Sequence, residues 1–344
     1  MDPVSLLRRM VEIPSFSGQE SALAAFLVEA MAQLGFRAHV DEAGNAVGIL
    51  GDGPREIVLL GHMDTVPGEI PVGIEDGRLT GRGSVDANGP LAAFITAAAQ
   101  VGPMPGKRFV VIGATEEEAA SSKGARHSAG VYAPISCIIG EPSGAAAITI
   151  GYKGRIVCAY DLNAGTTHSA APDGNILEEG VAFWSRIKAW AETANGGKKM
   201  FDRLDPVLRE IRSESDGLTE SIHLKISVRI PLGMTPAEVQ AEVESRKGEP
   251  GILRFWGGDL PYRAEKNTPL VRAFLQAIRE EGGEPKFTVK SGTSDMNVVG
   301  PVWRCPILAY GPGDSRLDHT PREHLELAEY LQSIRTLARV LTLL

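Results

Sequence analysis

The sequence is poor in cysteine, in long apolar runs and in positive charge. Only Cys137, Cys158 and Cys305 occur among its 344 residues. They are far apart and form no CxxC pair, which excludes a disulfide framework and a thiolate zinc site and points to a reducing compartment. Apolar stretches are broken by charge, Gly or Pro well before the roughly 18 residues that a membrane span needs. Met1 to Met10 carries charge and no long apolar core, so no signal peptide is expected, and a cytoplasmic location is. Lys and Arg number 35 against 43 Asp and Glu, a net charge of −8. With acid and base interspersed, such a surface repels phosphate backbones, so nucleic acid is excluded as a partner. No phosphate-binding P-loop and no GxSxG elbow occur. Gly81-Arg-Gly83-Ser-Val-Asp86 begins like a dinucleotide fingerprint but has Asp86 at the third glycine position.

What is present is an ordinary globular composition, 43% hydrophobic and 23% charged, in a chain long enough for about two domains. Residues 3–13 and 19–34 have the apolar spacing of amphipathic helices, with Ser17-Gly18 as a start and Gly35 as a stop. Residues 57–60, 109–112 and 137–139 are short, continuously apolar runs that read as buried strands. Between the first two lies an Ala- and Leu-rich helix, 90–101, with Asn88-Gly89 placed to cap it. Strand, helix, strand with apolar strands predicts an α/β fold, a mostly parallel sheet flanked by helices.

The texture changes near Gly154. Residues 156–162 and 221–230 alternate as half-exposed antiparallel strands do, and 180–193 and 236–246 read as helices. Residues 194–220 are too polar to assign. From Asn267 the first texture returns, with a helix at 269–281, a buried strand at 306–310 and a long closing helix at 321–344. The expected organisation is a catalytic domain, 1–153 and 261–344, with an inserted α+β lid or dimerisation domain at 154–260.

The chemistry collects behind the strands. The run 57–60 leads into Gly61-His62-Met63-Asp64-Thr65-Val66-Pro67, the run 109–112 into Thr115-Glu116-Glu117-Glu118, and the run 137–139 into Gly140-Glu141-Pro142. The run 306–310 leads through a Gly-Pro-Gly loop to Asp318-His319-Thr320. Asp86 sits in a loop just before a helix. Open α/β sheets build sites outside the carboxyl ends of their strands, so His62, Asp86, Glu118, Glu141 and His319 are candidate ligands that such a sheet converges. Two imidazoles with three carboxylates suit zinc or another borderline divalent cation. Five ligands exceed one tetrahedral site but serve two ions sharing a carboxylate. Asp64, two residues from His62, then holds the far nitrogen of that ring. Glu117 points differently from Glu118 and is placed to act as general base on the attacking water. Taken alone, residues 116–118 are equally readable as a solvated acidic turn.

In order, Gly-His-Met-Asp-Thr-Val-Pro, Gly-Arg-Gly-Ser-Val-Asp, Thr-Glu-Glu-Glu, Gly-Glu-Pro and Asp-His-Thr-Pro resemble the motifs of the M20 family of two-zinc amidohydrolases and exopeptidases. That family includes acetylornithine deacetylase and succinyl-diaminopimelate desuccinylase, and the resemblance covers nearly the whole chain. It implies two divalent ions, Zn²⁺ with Co²⁺ as an alternative, with Asp86 bridging them. His62 and Glu141 would complete one site, Glu118 and His319 the other, with Glu117 as base and Asp64 as partner of His62. It also implies a homodimer formed through the inserted domain. His168, in Gly165-Thr-Thr-His-Ser-Ala-Ala-Pro172, matches the family's lid motif, whose histidine donates to the developing oxyanion in the partner subunit's site. Ser291-Gly292-Thr293-Ser294-Asp295 matches a substrate loop, which makes Gly292, Thr293 and Asp295 expected substrate contacts. Arg263 is a candidate for a substrate carboxylate.

Within the family the chain looks most like the hydrolases that free lysine or ornithine from the C-terminal glutamate of a small amino-group carrier protein. The run Glu116 to Arg126 and the short chain carry that likeness. Two departures stand out. Asn88 replaces the family's usual Lys, and Ala119-Ala120 replace a hydrophobic-Gly pair. The alternatives are a deacylase of small N-acyl amino acids, a dipeptidase, a dimetal phosphatase lacking an evident basic clamp, and a metal-stabilised binding protein for amino acids or the carrier. No basic patch for an acidic carrier stands out in 154–260; Lys198, Lys199 and Arg203 are the local candidates. His39, His127, His223 and His324 are expected to be structural, and the cysteines inert core residues.

Overall fold

The computed structural model describes residues 1–166, 168, 175–249 and 251–344. The chain divides into two compact units, one of 1–151, 263–289 and 294–344, the other of 152–262 and 290–293.

The first unit is built on a nine-stranded sheet with a parallel centre. Arg55–His62 pairs in parallel with Lys107–Ala114 on one side and Ser136–Ile139 on the other, and Ile307–Ala309 extends the parallel set. Ala46–Leu50 and Arg37–Val40 finish one edge antiparallel. The central strands are apolar because helices cover both faces: Ile57, Val58, Leu59, Leu60, Val110 and Val111 are all fully buried. Each such side chain stabilises the fold by about 1.5–3 kcal/mol relative to exposure. The helix Asn88–Val101 crosses between the first two strands and is buried over most of its length. Its start differs from expectation. Asn88 lies inside the helix and makes no side-chain cap; its N–H donates to Gly83 O instead. Gly83 has φ +83°, and a Cβ there would stand 2.8 Å from both Thr65 and Asn88, so this turn requires glycine.

The predicted closing helix begins later than expected, at Leu327–Leu343. Residues 324–326 are instead a strand, because His324–Glu326 pairs with Arg78–Thr80 in a small three-stranded sheet. The first helices are Pro3–Glu12 and Ser21–Gln33. Ser17 does not start the second of them; its hydroxyl goes to Asp64.

The second unit is a four-stranded antiparallel sheet, ordered Asp205–Ser215, Thr219–Ile230, Gly154–Gly165, Ile252–Asp259. The helices Ile176–Ala194 and Pro236–Glu244 pack on one face over a core of Tyr160, Phe183, Leu224 and Val239. Within Thr219–Ile230, residues 221–230 alternate between half-buried and buried, as predicted. Residues 156–162 do not: Val157 and Ala159 are buried as well as Ile156, Cys158 and Tyr160. This strand lies between two others, so its small outward side chains are shaded by neighbours such as Trp256 beside Val157 and Lys225 beside Ala159. The polar stretch 194–220 contains the edge strand Asp205–Ser215.

Residues 290–293, expected with the first domain, cluster with the second unit. The physical reason is local: Lys153 N–H donates to Lys290 O, and the Arg229 guanidinium donates to Thr293 Oγ1 at 3.0 Å. Among the described residues no helix is long and apolar enough to cross a membrane. All three cysteines are free thiols; Cys137 and Cys158 are core residues, whereas Cys305 is partly exposed.

Candidate metal centre

Four of the parallel strands deliver acids and histidines to their carboxyl ends. His62 is the last residue of its strand, Glu117 and Glu118 follow Lys107–Ala114, and Glu141 follows Ser136–Ile139. His319 comes from the loop after Ile307–Ala309, with φ +61°, a conformation few non-glycine residues adopt.

Asp86 stands in the middle. Its Oδ1 is 3.3 Å from His62 Nε2 and its Oδ2 is 3.1 Å from His319 Nε2. One carboxylate thus offers one oxygen to each histidine. His319 Nε2 is also 2.6 Å from Glu118 Oε1. Ligand atoms of His62, Glu117 and Glu141 lie within 4.8 Å of one another, and so do those of His62, Asp86 and Glu118. His62, Asp64 and Glu141 are buried, whereas the His319 side chain is 47% exposed, so the cluster opens to solvent on the His319 side.

Asp64 plays a wider part than its spacing from His62 suggests. His62 Nδ1 donates to the Asp64 backbone carbonyl at 3.0 Å, with the carboxylate Oδ1 at 3.4 Å. A carbonyl only accepts, so Nδ1 carries the proton and Nε2 faces Asp86. The Asp64 carboxylate meanwhile accepts the N–H of Glu117 at 2.9 Å and of Glu118 at 3.0 Å, and the Ser17 hydroxyl at 2.7 Å. One buried acid therefore fixes the ring of His62 and the turn that splays Glu117 from Glu118. Glu20 holds the preceding step by accepting the N–H of Glu116, a residue at φ +57°.

Without an ion, the cluster balances its charge with protons. Burial opposes charge on His62, but its bonds to Asp64 and Asp86 outweigh this and raise its pKa well above the usual imidazole value. The bonds from Asp86 and Glu118 lift His319 to about 10. Burial works against ionised Asp86, yet the two histidines hold it below the ordinary carboxylate range. Burial drives Glu117 well above the usual carboxylate value; His62 opposes this, and the charges of Glu141, Glu118 and Asp295 add to it. Burial, with Asp86, raises Glu118 too. Carboxylates and imidazoles crowded out of water are the donor set that a divalent cation satisfies. Nitrogen and oxygen donors with no thiolate suit zinc or cobalt.

The fold thus brings together His62, Asp64, Asp86, Glu117, Glu118, Glu141 and His319, with Asp295 near Glu117. Asp295 is buried at the first turn of the helix Asp295–Trp303. Arg263 is exposed on the two-residue strand Tyr262–Arg263. Gly292 and Thr293 belong to the second unit, as does His168, which is exposed. Thr167 and residues 169–172 of the His168 motif lie outside the described residues. His223 pairs with Asp161 at 2.7 Å, His127 lies 3.6 Å from Asp41, and His324 Nδ1 donates to Arg322 O. Among the described residues, four supports escaped the sequence reading: Ser17 on Asp64, Glu20 on Glu116, Glu323 on the loop before Asp86, and Arg229 on Thr293. The only signal for Glu323 was its place four residues beyond His319.

Comparison with known proteins gives concordant results. The sequence pattern of peptidase family M20/M25/M40 matches residues 58–343. A LysW-lysine hydrolase of Deinococcus radiodurans is 48% identical over 345 residues, covering 98% of this chain and 95% of the relative. A LysW-lysine/LysW-ornithine hydrolase of Saccharolobus islandicus is 30% identical over 290 residues, covering 84% and 80%. Among solved structures, an M20 family metallo-carboxypeptidase of Sulfolobus solfataricus superposes with a TM-score of 0.82 at 18% identity, covering 100% of this chain and 99% of that one. The likeness in this last case is one of fold.

Proposed function

The chain belongs to peptidase family M20/M25/M40, and on that premise we propose that it is a two-metal hydrolase freeing lysine or ornithine from the C-terminal glutamate of an amino-group carrier protein. The observation that carries the reading is Asp86, whose two oxygens each face a different histidine. Asp86 would be shared by two ions, with His62 and Glu141 completing one set and Glu118 and His319 the other. Zn²⁺ suits these donors and Co²⁺ can replace it. When bound, the ions polarise the amide carbonyl and acidify the attacking water.

The remaining steps belong to the chain. Glu117 takes the proton of the attacking water and returns it to the leaving amine. Asp64 keeps that carboxylate aimed by holding the backbone N–H groups of Glu117 and Glu118. His168 donates to the developing oxyanion, a contribution of about 3–4 kcal/mol when such a donor is well placed. Gly292, Thr293, Asp295 and Arg263 contact the substrate. The second unit acts as a lid and joins two copies into a homodimer, and the reaction runs in the cytoplasm.

Two measurements test the reading. The Zn²⁺- or Co²⁺-loaded protein is expected to release free lysine or ornithine from the modified carrier, and to do so faster than it cleaves acetylornithine or succinyl-diaminopimelate. Faster turnover of the small substrates would make it a small-molecule deacylase. Glu117→Gln is expected to keep both ions and lower kcat by about 10²–10⁴-fold. Loss of metal in that variant would place Glu117, which is within reach of both His62 and Glu141, among the ligands.

A further inference from the structure

We propose that the pair of partly buried Arg82 and buried Glu323 is a positioning device that sets the spacing of the two histidines across Asp86, an inference that rests on the two-ion reading above. Glu323 is 1% exposed. Its Oε1 accepts the N–H groups of Val85 at 3.0 Å and of Asp86 at 3.2 Å, and its Oε2 meets Arg82 Nη1 at 2.6 Å. Its backbone carbonyl also accepts the N–H of Gly81. Both ends of the loop that carries Asp86 therefore hang from one residue, and that residue is four positions beyond His319.

Arg82 completes the frame. Its Nη1 donates to Thr320 O at 3.4 Å and its Nε to Gly68 O at 3.0 Å. Arg82 belongs to the segment that ends in Asp86, and its guanidinium reaches two others: the one that follows His62 and Asp64, and the one that starts with His319. Each segment bears a candidate ligand. A planar fork with fixed donor directions ties three strands of backbone more rigidly than separate neutral contacts would.

The chemistry explains why the pair is ionic. The buried N–H groups of Val85 and Asp86 need an acceptor, and a carboxylate is the strongest one available. A lone carboxylate would add to the negative field of Asp64, Asp86, Glu117, Glu118 and Glu141; Arg82 cancels it locally. A buried ion pair is costly to desolvate and gives the fold little that apolar packing could not. Its return is geometric: Asp86 is held where Oδ1 and Oδ2 face two different imidazoles.

The test uses the full chain, as parent, Glu323→Gln and the charge-free double variant Arg82→Met/Glu323→Gln. Circular dichroism of the metal-free proteins monitors folding. Zn²⁺ affinity is read by competition with a chromophoric chelator, and the visible spectrum of the Co²⁺ form reports ligand geometry. The expected result is metal-free folding like the parent, Zn²⁺ affinity lower by about 10–100-fold and an altered Co²⁺ spectrum. Parental affinity and spectrum in either folded variant would overturn the proposal. Failure of both variants to fold would also overturn it, by assigning the pair to the fold itself. A parent that binds no second ion would instead overturn the two-ion reading.

Discussion

Charge is arranged in opposite ways in the two units. In the first, carboxylates of one sign are gathered behind the parallel strands and largely buried, where they meet two imidazoles, backbone N–H groups and the Ser17 hydroxyl. In the second, the open face of the antiparallel sheet alternates in sign. Arg254 and His223 both lie 2.7 Å from Asp161, and Arg212 pairs with Glu210. The second arrangement neutralises itself and remains in water, where each pair is worth little. The first cannot neutralise itself, and burial makes its repulsion expensive until a cation or protons join it. Charged residues are equally easy to count in both units. What separates a site from a soluble surface is burial of more acids than the two imidazoles beside them can balance.

The most damaging way to break this contrast is to remove the acid that both histidines share. Asp86→Ala leaves His62 Nε2 and His319 Nε2 without their common acceptor. The metal content of the purified protein is expected to fall from about two ions per chain to about none, with turnover lost. Retention of one ion at parental affinity, measured by atomic emission after dialysis, would remove Asp86 from the shared position.

Much of this site was legible because each candidate ligand follows an apolar run or a tight glycine turn, and a parallel sheet must gather such ends on one side. His62, Glu118, Glu141 and His319 were readable for that reason. The supports were not. Ser17 lies 47 residues from Asp64, and Glu323 lies 237 from Asp86. Such pairings are set by tertiary packing, and each residue looks locally like a turn or a solvated acid. The same limit explains Asp205–Ser215, an edge strand whose residues are all exposed or half-buried and whose inward apolar positions, Leu208 among them, are thrown out of alternation by a register shift between Leu208 and Glu210. It also explains His324–Glu326, a short strand that exists only because Arg78–Thr80 offers it a partner.

The second unit sharpens the comparison from the side of packing. Leu224 is fully buried in the core beneath the helices. Leu224→Ala is expected to cost about 2–5 kcal/mol, read as a lower midpoint in chemical denaturation. Zn²⁺ affinity is expected to stay at the parental value, because every candidate ligand lies in the first unit. A parallel fall in affinity would show that the two units do not hold their functions separately.

The smallest effect is expected where charge is most conspicuous. Arg254 is 66% exposed beside Asp161, and Asp161 keeps His223 as a second partner. Arg254→Met preserves the aliphatic stem and removes only the guanidinium. Its cost is expected to be about 0.2–1 kcal/mol and to shrink further as salt is raised, since water and ions screen an exposed pair. Denaturation midpoints at low and high ionic strength measure this directly. A loss above about 2 kcal/mol that persisted in high salt would mean that the open face is electrostatically more like the buried cluster than its exposure implies.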